Sequence, residues 1–339
     1  MSYILLLSGF VLLIGSGDLL VRGATAMALR LGIPTLIVGL TVVAFGTSAP
    51  ELMVSVNAAL SGAPGIAVGN VVGSNIANIL LVLGLPAIFR ATDCCAPHVR
   101  RNTVFMIGAT ILFIVLCFFG PLNFWHGALL FSLIVAFLFA SGHSASKMMA
   151  ENRAAKSNGD SPCELDSAGA MGTTWPVIAG FVVFGLIGLP FGAEMVVDGA
   201  TGIAVGFGID EAAIGLTVVA LGTSLPELTT ALIAVLHRHG GMAIGNIIGS
   251  NLFNLLAVMG LTAMVAPVPI PAHILSVDLW VMLAAALLVV PITFFKIPIT
   301  RAPAMLMVIA YGVYVAFVFT SAFPNPAAET VKLGTHASP

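Results

Sequence analysis

Two glutamates, Glu51 and Glu227, lie inside apolar runs long enough to cross a membrane, with no lysine or arginine in the same stretch. A carboxylate at that depth is costly and marks a functional position by default. Two of them without a basic partner call for cations or protons. Each follows a proline, Pro50 or Pro226. Proline cannot donate to the carbonyl four residues back, here Gly46 or Gly222, so each helix is expected to break. Broken backbone inside a membrane is tolerated where it lines a polar cavity. The hydroxyls of Thr47, Ser48, Thr223 and Ser224 then join the carboxylates. Thr47 and Glu51 are four apart, as are Thr223 and Glu227, which puts each pair on one face if the local turn stays near-helical.

A second pair of blocks adds amides and hydroxyls: Asn70, Ser74, Asn75 and Asn78, then Asn246, Ser250, Asn251 and Asn254. Asn70 and Asn246 suit helix-to-helix hydrogen bonding and ion contact equally well. Gly69, Gly73, Gly245 and Gly249 permit close helix approach. The candidate ligands are all oxygen, the chemistry of hard cations such as Ca²⁺. The spans hold no His or Cys cluster of the kind that favours zinc or copper. Oxygen ligands alone do not separate Ca²⁺ from Na⁺, and competing ions sharing one ligand set is what exchange requires.

The chain that must position these groups has 339 residues, 59% hydrophobic and 8% charged. A soluble domain carries about 25% charged residues. Apolar runs of about 18 residues or more recur throughout and read as membrane helices. The ten-residue alternation of a β-barrel is absent. The stretch 1–15 lacks a basic leader and reads as the start of an uncleaved first span. Cys94, Cys95, Cys117 and Cys163 lack metal spacing and read as reduced thiols without function.

The sequence repeats itself. GLTVVAFGTSAPE ends at Glu51 and GLTVVALGTSLPE at Glu227; GNVVGSNIAN ends at Asn78 and GNIIGSNLFN at Asn254. One offset of 176 residues relates both pairs. Hydropathy suggests spans near 3–25, 35–60, 66–89, 102–119 and 123–141, then 175–198, 211–236, 243–265, 278–295 and 303–322. Arg22, Arg30, Arg90, Arg100, Arg101, Lys147, Arg153, Lys156, Arg238, Lys296 and Arg301 fall in or beside odd-numbered loops, and only Lys332 falls opposite. By the positive-inside rule the odd loops are cytoplasmic and both termini are extracytoplasmic. Five spans per copy make the copies inverted, the plan of secondary transporters with a midplane site. The expected fold is an all-α membrane protein of ten transmembrane helices, two inverted five-helix repeats with broken helices 2, 3, 7 and 8. The repeats are placed at 1–141 and 174–322, with a flexible cytoplasmic linker at 142–173 and a tail at 323–339. Trp125, Trp175 and Trp280 open spans and suit an interfacial belt.

At the repeated blocks the chain resembles the calcium/cation antiporter superfamily, and within it the compact prokaryotic sodium/calcium exchangers. The resemblance covers nearly all of the chain. It implies alternating access and exchange of about three Na⁺ for one Ca²⁺ in a cell inner membrane. It implies that Glu51 and Glu227 bridge calcium, with backbone oxygen from Thr47 and Thr223. Ser48, Ser74, Ser224 and Ser250 would complete flanking sodium sites with the carbonyls of Ala44 and Ala220, and Asn78 and Asn254 would sit centrally. Several exchangers of the superfamily carry Asp where this chain has Asn254, which argues against potassium co-transport here. The acid that the proton-coupled branch carries after its Gly-Asn pair is replaced by Gly-Ser-Asn.

The expectation is therefore a transporter of Ca²⁺ and Na⁺ with the lipid bilayer as its partner. No cofactor, enzymatic activity, nucleic acid or obligate protein partner is expected. A proton-coupled antiporter is the alternative on the same scaffold, and a cation channel the more distant one. Asp18 and Glu194, also related by the offset, read as helix-end acids or an ion pair ahead of a gate role. Asp198, Asp210 and Glu211 lie in or beside an outward loop and would enrich cations there. His237 and His239 flank Arg238 in what reads as a solvated basic turn.

Overall fold

The computed structural model describes residues 1–92, 98–157, 174–207 and 220–322. Its elements are helices: α1 (Ser2–Leu31), α2 (Thr35–Thr47), α3 (Ala49–Leu60), α4 (Pro64–Phe89), α5 (Val99–Phe118), α6 (Phe124–Ser157) and α7 (Trp175–Gly206) in the first part. There follow α8 (Ala220–Thr223), α9 (Leu225–Leu236), α10 (Gly240–Val265), α11 (Ile274–Phe294) and α12 (Arg301–Ala322). Among the described residues eight helices are long and apolar enough to span a membrane, or nine if the bent pair α2 and α3 is one span. The short apolar helix α9 continues from α8, whose upstream residues lie outside the described set, as do Asp210 and Glu211.

The helix axis bends by 41° between α2 and α3. Ser48, at the bend, has φ −85° and ψ 6°, and Ser224 before α9 has φ −87° and ψ 1°. Pro50 and Pro226 each take the second position of the new helix, where the missing N–H costs nothing. The expected breaks in helices 3 and 8 are corrected by the structure. α4 and α10 each continue as one span through a π segment, at Asn78–Val82 and Phe253–Val258, with a single turn residue, Leu83, in α4. Their glycines lower helix propensity but, unlike proline, remove no hydrogen bond.

α4 and α10 are buried along most of their length, whereas α12 is largely exposed. Gly249 of α10 brings its backbone against Leu40 and Ala44 of α2, which seats the serine beside it at the centre. α1 and α7 pack antiparallel through small residues: Gly9 meets Val196, Leu13 meets Gly192, Leu20 meets Gly185 and Leu6 meets Gly199. These contacts exchange under the 176-residue offset, since Gly9 corresponds to Gly185 and Leu20 to Val196.

The contacts between helix ends respect the parity of the charge pattern. Arg90 Nη1 donates to Leu236 O (3.2 Å), Arg100 Nη2 to Phe294 O (2.7 Å) and Arg101 Nη1 to Ser144 Oγ (3.2 Å). Thr92 pairs with Ile299, again joining odd-numbered segments. Leu122 pairs with Val268, joining even ones. Trp125, Trp175 and Trp280 are all exposed.

α6 continues to Ser157, so residues 142–157 of the expected linker are helix. Ala, Lys, Met, Glu and Arg there are good helix formers, which outweighs their polarity. The rest of that linker, the tail 323–339 and Cys94, Cys95 and Cys163 lie outside the described residues; Cys117 is a buried free thiol.

Close packing makes one position decisive. A Cβ on Gly185 would lie 2.8 Å from Leu20 Cα and 2.9 Å from its backbone N, so α1 and α7 must separate. Gly185→Val is expected to destabilise the protein by about 1–3 kcal/mol. Gly108, which has nothing within 4 Å of a built Cβ, supplies the control Gly108→Val. Thermal unfolding in detergent reads both, and equal melting temperatures would refute the packing argument.

Candidate ion-binding site

Glu51 is the third residue of α3 and Glu227 the third of α9, each in the first turn after a serine N-cap. The exposed N–H groups of a first turn favour negative charge, so both helices hold their carboxylates at a favourable end. Both glutamates are fully buried. Ser48 Oγ, at the head of the Glu51 helix, donates to Glu227 Oε1 at 3.3 Å. That bond ties the start of the Glu51 helix to the carboxyl group of Glu227.

Around them, buried polar atoms lack hydrogen-bond partners among the described residues. They include both carboxylate oxygens of Glu51, Oε2 of Glu227, Oδ1 of Asn78, both amide atoms of Asn254 and Oγ of Ser224. Buried polar groups in folded proteins are nearly always satisfied, and each exception needs a cause. A cluster dominated by acceptors suits a cation.

Hydrogen bonds locate some of the hydroxyls expected at the site, and the others are located by burial alone. Thr47 Oγ1 lies 3.4 Å from Asn246 Oδ1 and 3.4 Å from Ser250 Oγ. Thr223 Oγ1 donates to Asn70 Oδ1 at 3.5 Å, the same link with the halves exchanged. Ser48, Ser74, Ser224 and Ser250 are all buried. Ala44 O accepts the Ser48 N–H (3.0 Å) and approaches the Thr47 hydroxyl (3.4 Å), so an ion there would share the oxygen. Ala220 opens α8, and its side chain lies outside the described set. Asn78 and Asn254 each begin or lie within a π segment. Such a turn displaces side chains from α-helical register and recurs at functional sites.

Asn70 and Asn246 resolve towards helix-to-helix bonding. Asn70 Nδ2 donates to Ser55 Oγ (3.0 Å) and Glu51 O (3.3 Å). Asn246 Nδ2 donates to Thr230 Oγ1 (3.1 Å) on the Glu227 helix. Ser55 and Thr230 escaped the sequence reading, although they lie four and three residues beyond the glutamates, on the same helical face. Asp18 forms an ion pair with Arg22 (2.8 Å) and approaches His237 (3.4 Å), with its side chain partly exposed. The basic turn at His237 is therefore joined to α1. Glu194 and Asp198 are exposed.

The profile of the family described as "Sodium/calcium exchanger protein" matches residues 1–142 and 177–320. The chain belongs to that family. Membership places it among membrane antiporters of Ca²⁺ and other cations, not among enzymes. The antiporter is 38% identical over 285 residues to the inner membrane protein YrbG of Escherichia coli K12, covering 84% of this chain and 86% of that protein. It is 30% identical over 319 residues to the sodium/calcium exchanger MaX1 of Methanosarcina acetivorans, covering 85% and 89%. The solved structure of the sodium-calcium exchanger NCX_Mj soaked with zero Na⁺ and Ca²⁺ superposes with a TM-score of 0.78 at 30% identity, covering 94% of this chain and 98% of that one. The antiporter thus shares the all-helical membrane fold of that exchanger.

Proposed function

We propose that this antiporter exchanges Ca²⁺ for Na⁺ by alternating access, at a site built from Glu51 and Glu227. The observation that carries the reading is the set of buried acceptor oxygens, contributed by both halves and including both oxygens of Glu51, that have no donor among the described residues. Thr47, Thr223, Ser48, Ser224, Ser74, Ser250, Asn78 and Asn254, with the carbonyls of Ala44 and Ala220, complete the ligand set. Competing hard cations would occupy it in turn. The names of MaX1 and NCX_Mj, both sodium/calcium exchangers, favour Na⁺ as the counter-ion.

The scaffold we infer is ten transmembrane helices in two inverted repeats, 1–141 and 174–322. The sequence offset, the exchangeable contacts of α1 with α7 and the reciprocal Thr–Asn links support it. Same-parity contacts between helix ends support a cytoplasmic location for the basic loops, with both termini outside. The name of the relative YrbG supports an inner-membrane location.

The test is ⁴⁵Ca²⁺ uptake into proteoliposomes loaded with Na⁺ and diluted into Na⁺-free buffer. Uptake is expected to need the outward Na⁺ gradient and to persist when a protonophore collapses any pH gradient. Uptake driven by a pH gradient without Na⁺ would establish proton coupling instead, and single-channel currents would establish a channel.

A further inference from the structure

The second asparagine of each Gly-Ser-Asn-x-x-Asn block is bonded differently in the two halves. Asn78 Nδ2 donates to Asn251 Oδ1 at 3.2 Å, across the halves. Asn251 Nδ2 in turn donates to Met106 Sδ at 3.7 Å. Amide oxygen and nitrogen are alike in shape, so their orientation has to be argued from partners. A thioether sulfur can accept but never donate. Met106 therefore takes the nitrogen of Asn251, and its oxygen faces Asn78. That oxygen demands the Asn78 nitrogen, which leaves Asn78 Oδ1 turned the other way, buried and without a donor among the described residues.

The equivalent pair in the other half is arranged otherwise. Asn75 Nδ2 donates to Val71 O of its own helix at 2.7 Å. Neither amide atom of Asn254 has a partner among the described residues. The counterpart of Met106 under the offset is Met282, also buried, so the residue type is matched while the bond made by the asparagine differs.

We propose that Asn251 is a positioning residue of the ion site, holding the Asn78 amide with its oxygen towards the cation. Without that hold the amide can present N–H hydrogens, whose partial positive charge repels a cation. The proposal rests on the reading of Glu51 and Glu227 as ion ligands. Asn75, turned onto its own helix, exerts no such hold on Asn254, so the two central amides contribute unequally to ion affinity.

The experiment is Na⁺-driven ⁴⁵Ca²⁺ uptake by the full chain in proteoliposomes, resolved into KM for Ca²⁺ and kcat. Asn251→Leu removes the acceptor at similar volume and is expected to raise KM about tenfold with kcat within about twofold. Met106→Leu is expected to raise KM by a smaller factor, about threefold, because it only loosens Asn251. It adds nothing in the Asn251→Leu background if both act through one amide. Asn75→Leu removes an equally buried amide and is expected to leave KM within about twofold. An unchanged KM in Asn251→Leu overturns the proposal, as does an equal rise in Asn75→Leu or independent addition by Met106→Leu. If Asn251→Leu does not yield monodisperse protein, Met106→Leu alone decides, and an unchanged KM overturns the proposal. Failure of the underlying reading looks different: uptake would survive Glu51→Gln.

Discussion

Glu51→Gln and Glu227→Gln are each expected to abolish Na⁺-driven Ca²⁺ uptake while the protein stays folded. Two buried carboxylates neutralise one Ca²⁺, so either change leaves a divalent ion with one charge uncompensated. Removing one partner from a buried, desolvated charge pair costs about 3–5 kcal/mol. At 1.4 kcal/mol per factor of ten, that lowers affinity by roughly a hundredfold to several thousandfold. Folding should not suffer, because a neutral amide costs less to bury than a carboxylate without a cation. Glu51 makes the case cleanly, since neither of its oxygens has a hydrogen-bond partner to lose among the described residues. ⁴⁵Ca²⁺ flux and thermal unfolding in detergent, measured on the same preparations, check both halves of the statement. Retained uptake in either variant would remove that glutamate from the site. A melting temperature far below wild type would show instead that the carboxylate serves the fold.

A membrane potential is expected to move the equilibrium strongly. If three Na⁺ replace one Ca²⁺, as the family resemblance implies, the two-carboxylate site would carry +1 instead of zero and each cycle would transfer one net charge. Moving one charge through 100 mV is worth about 2.3 kcal/mol. That corresponds to about a 50-fold change in the equilibrium Ca²⁺ ratio. The sign follows from the direction of flow. Ca²⁺ uptake against Na⁺ exit carries net positive charge outward, so an interior-positive potential drives accumulation. Vesicles clamped with valinomycin and a K⁺ gradient provide the measurement. A ratio indifferent to potential would mean two Na⁺ per Ca²⁺, and the three-for-one count would be wrong.

Both expectations depend on groups that chain-local signals could reveal. Glu51 and Glu227 stood out because a carboxylate in an apolar run is anomalous whatever surrounds it. The bend at Ser48 follows from Pro50, which lacks a backbone donor in any environment. The repeat offset and the alternating basic loops are likewise properties of the chain alone. The breaks expected in the helices of Asn78 and Asn254 failed for a related reason. Glycine only weakens a helix, and its bare backbone can instead be filled by a neighbour, as Gly249 is by Leu40 and Ala44. The helix through 142–157 shows the converse, a polar composition whose residues favour helix even so.

The amino-acid sequence by itself determined that this is a membrane protein with a repeated block, and it singled out the two acids and the oxygen-bearing residues proposed to join them. Tertiary structure decided which of those oxygens remain without donors, and that Asn70 and Asn246 bond between helices. It also decided that Asn251 faces Met106 while Asn75 faces its own helix. The physical reason is distance along the chain. Hydropathy, charge and proline act on their immediate neighbours, whereas the amides of Asn78 and Asn251 take their orientation from partners more than a hundred residues away that only packing brings within reach.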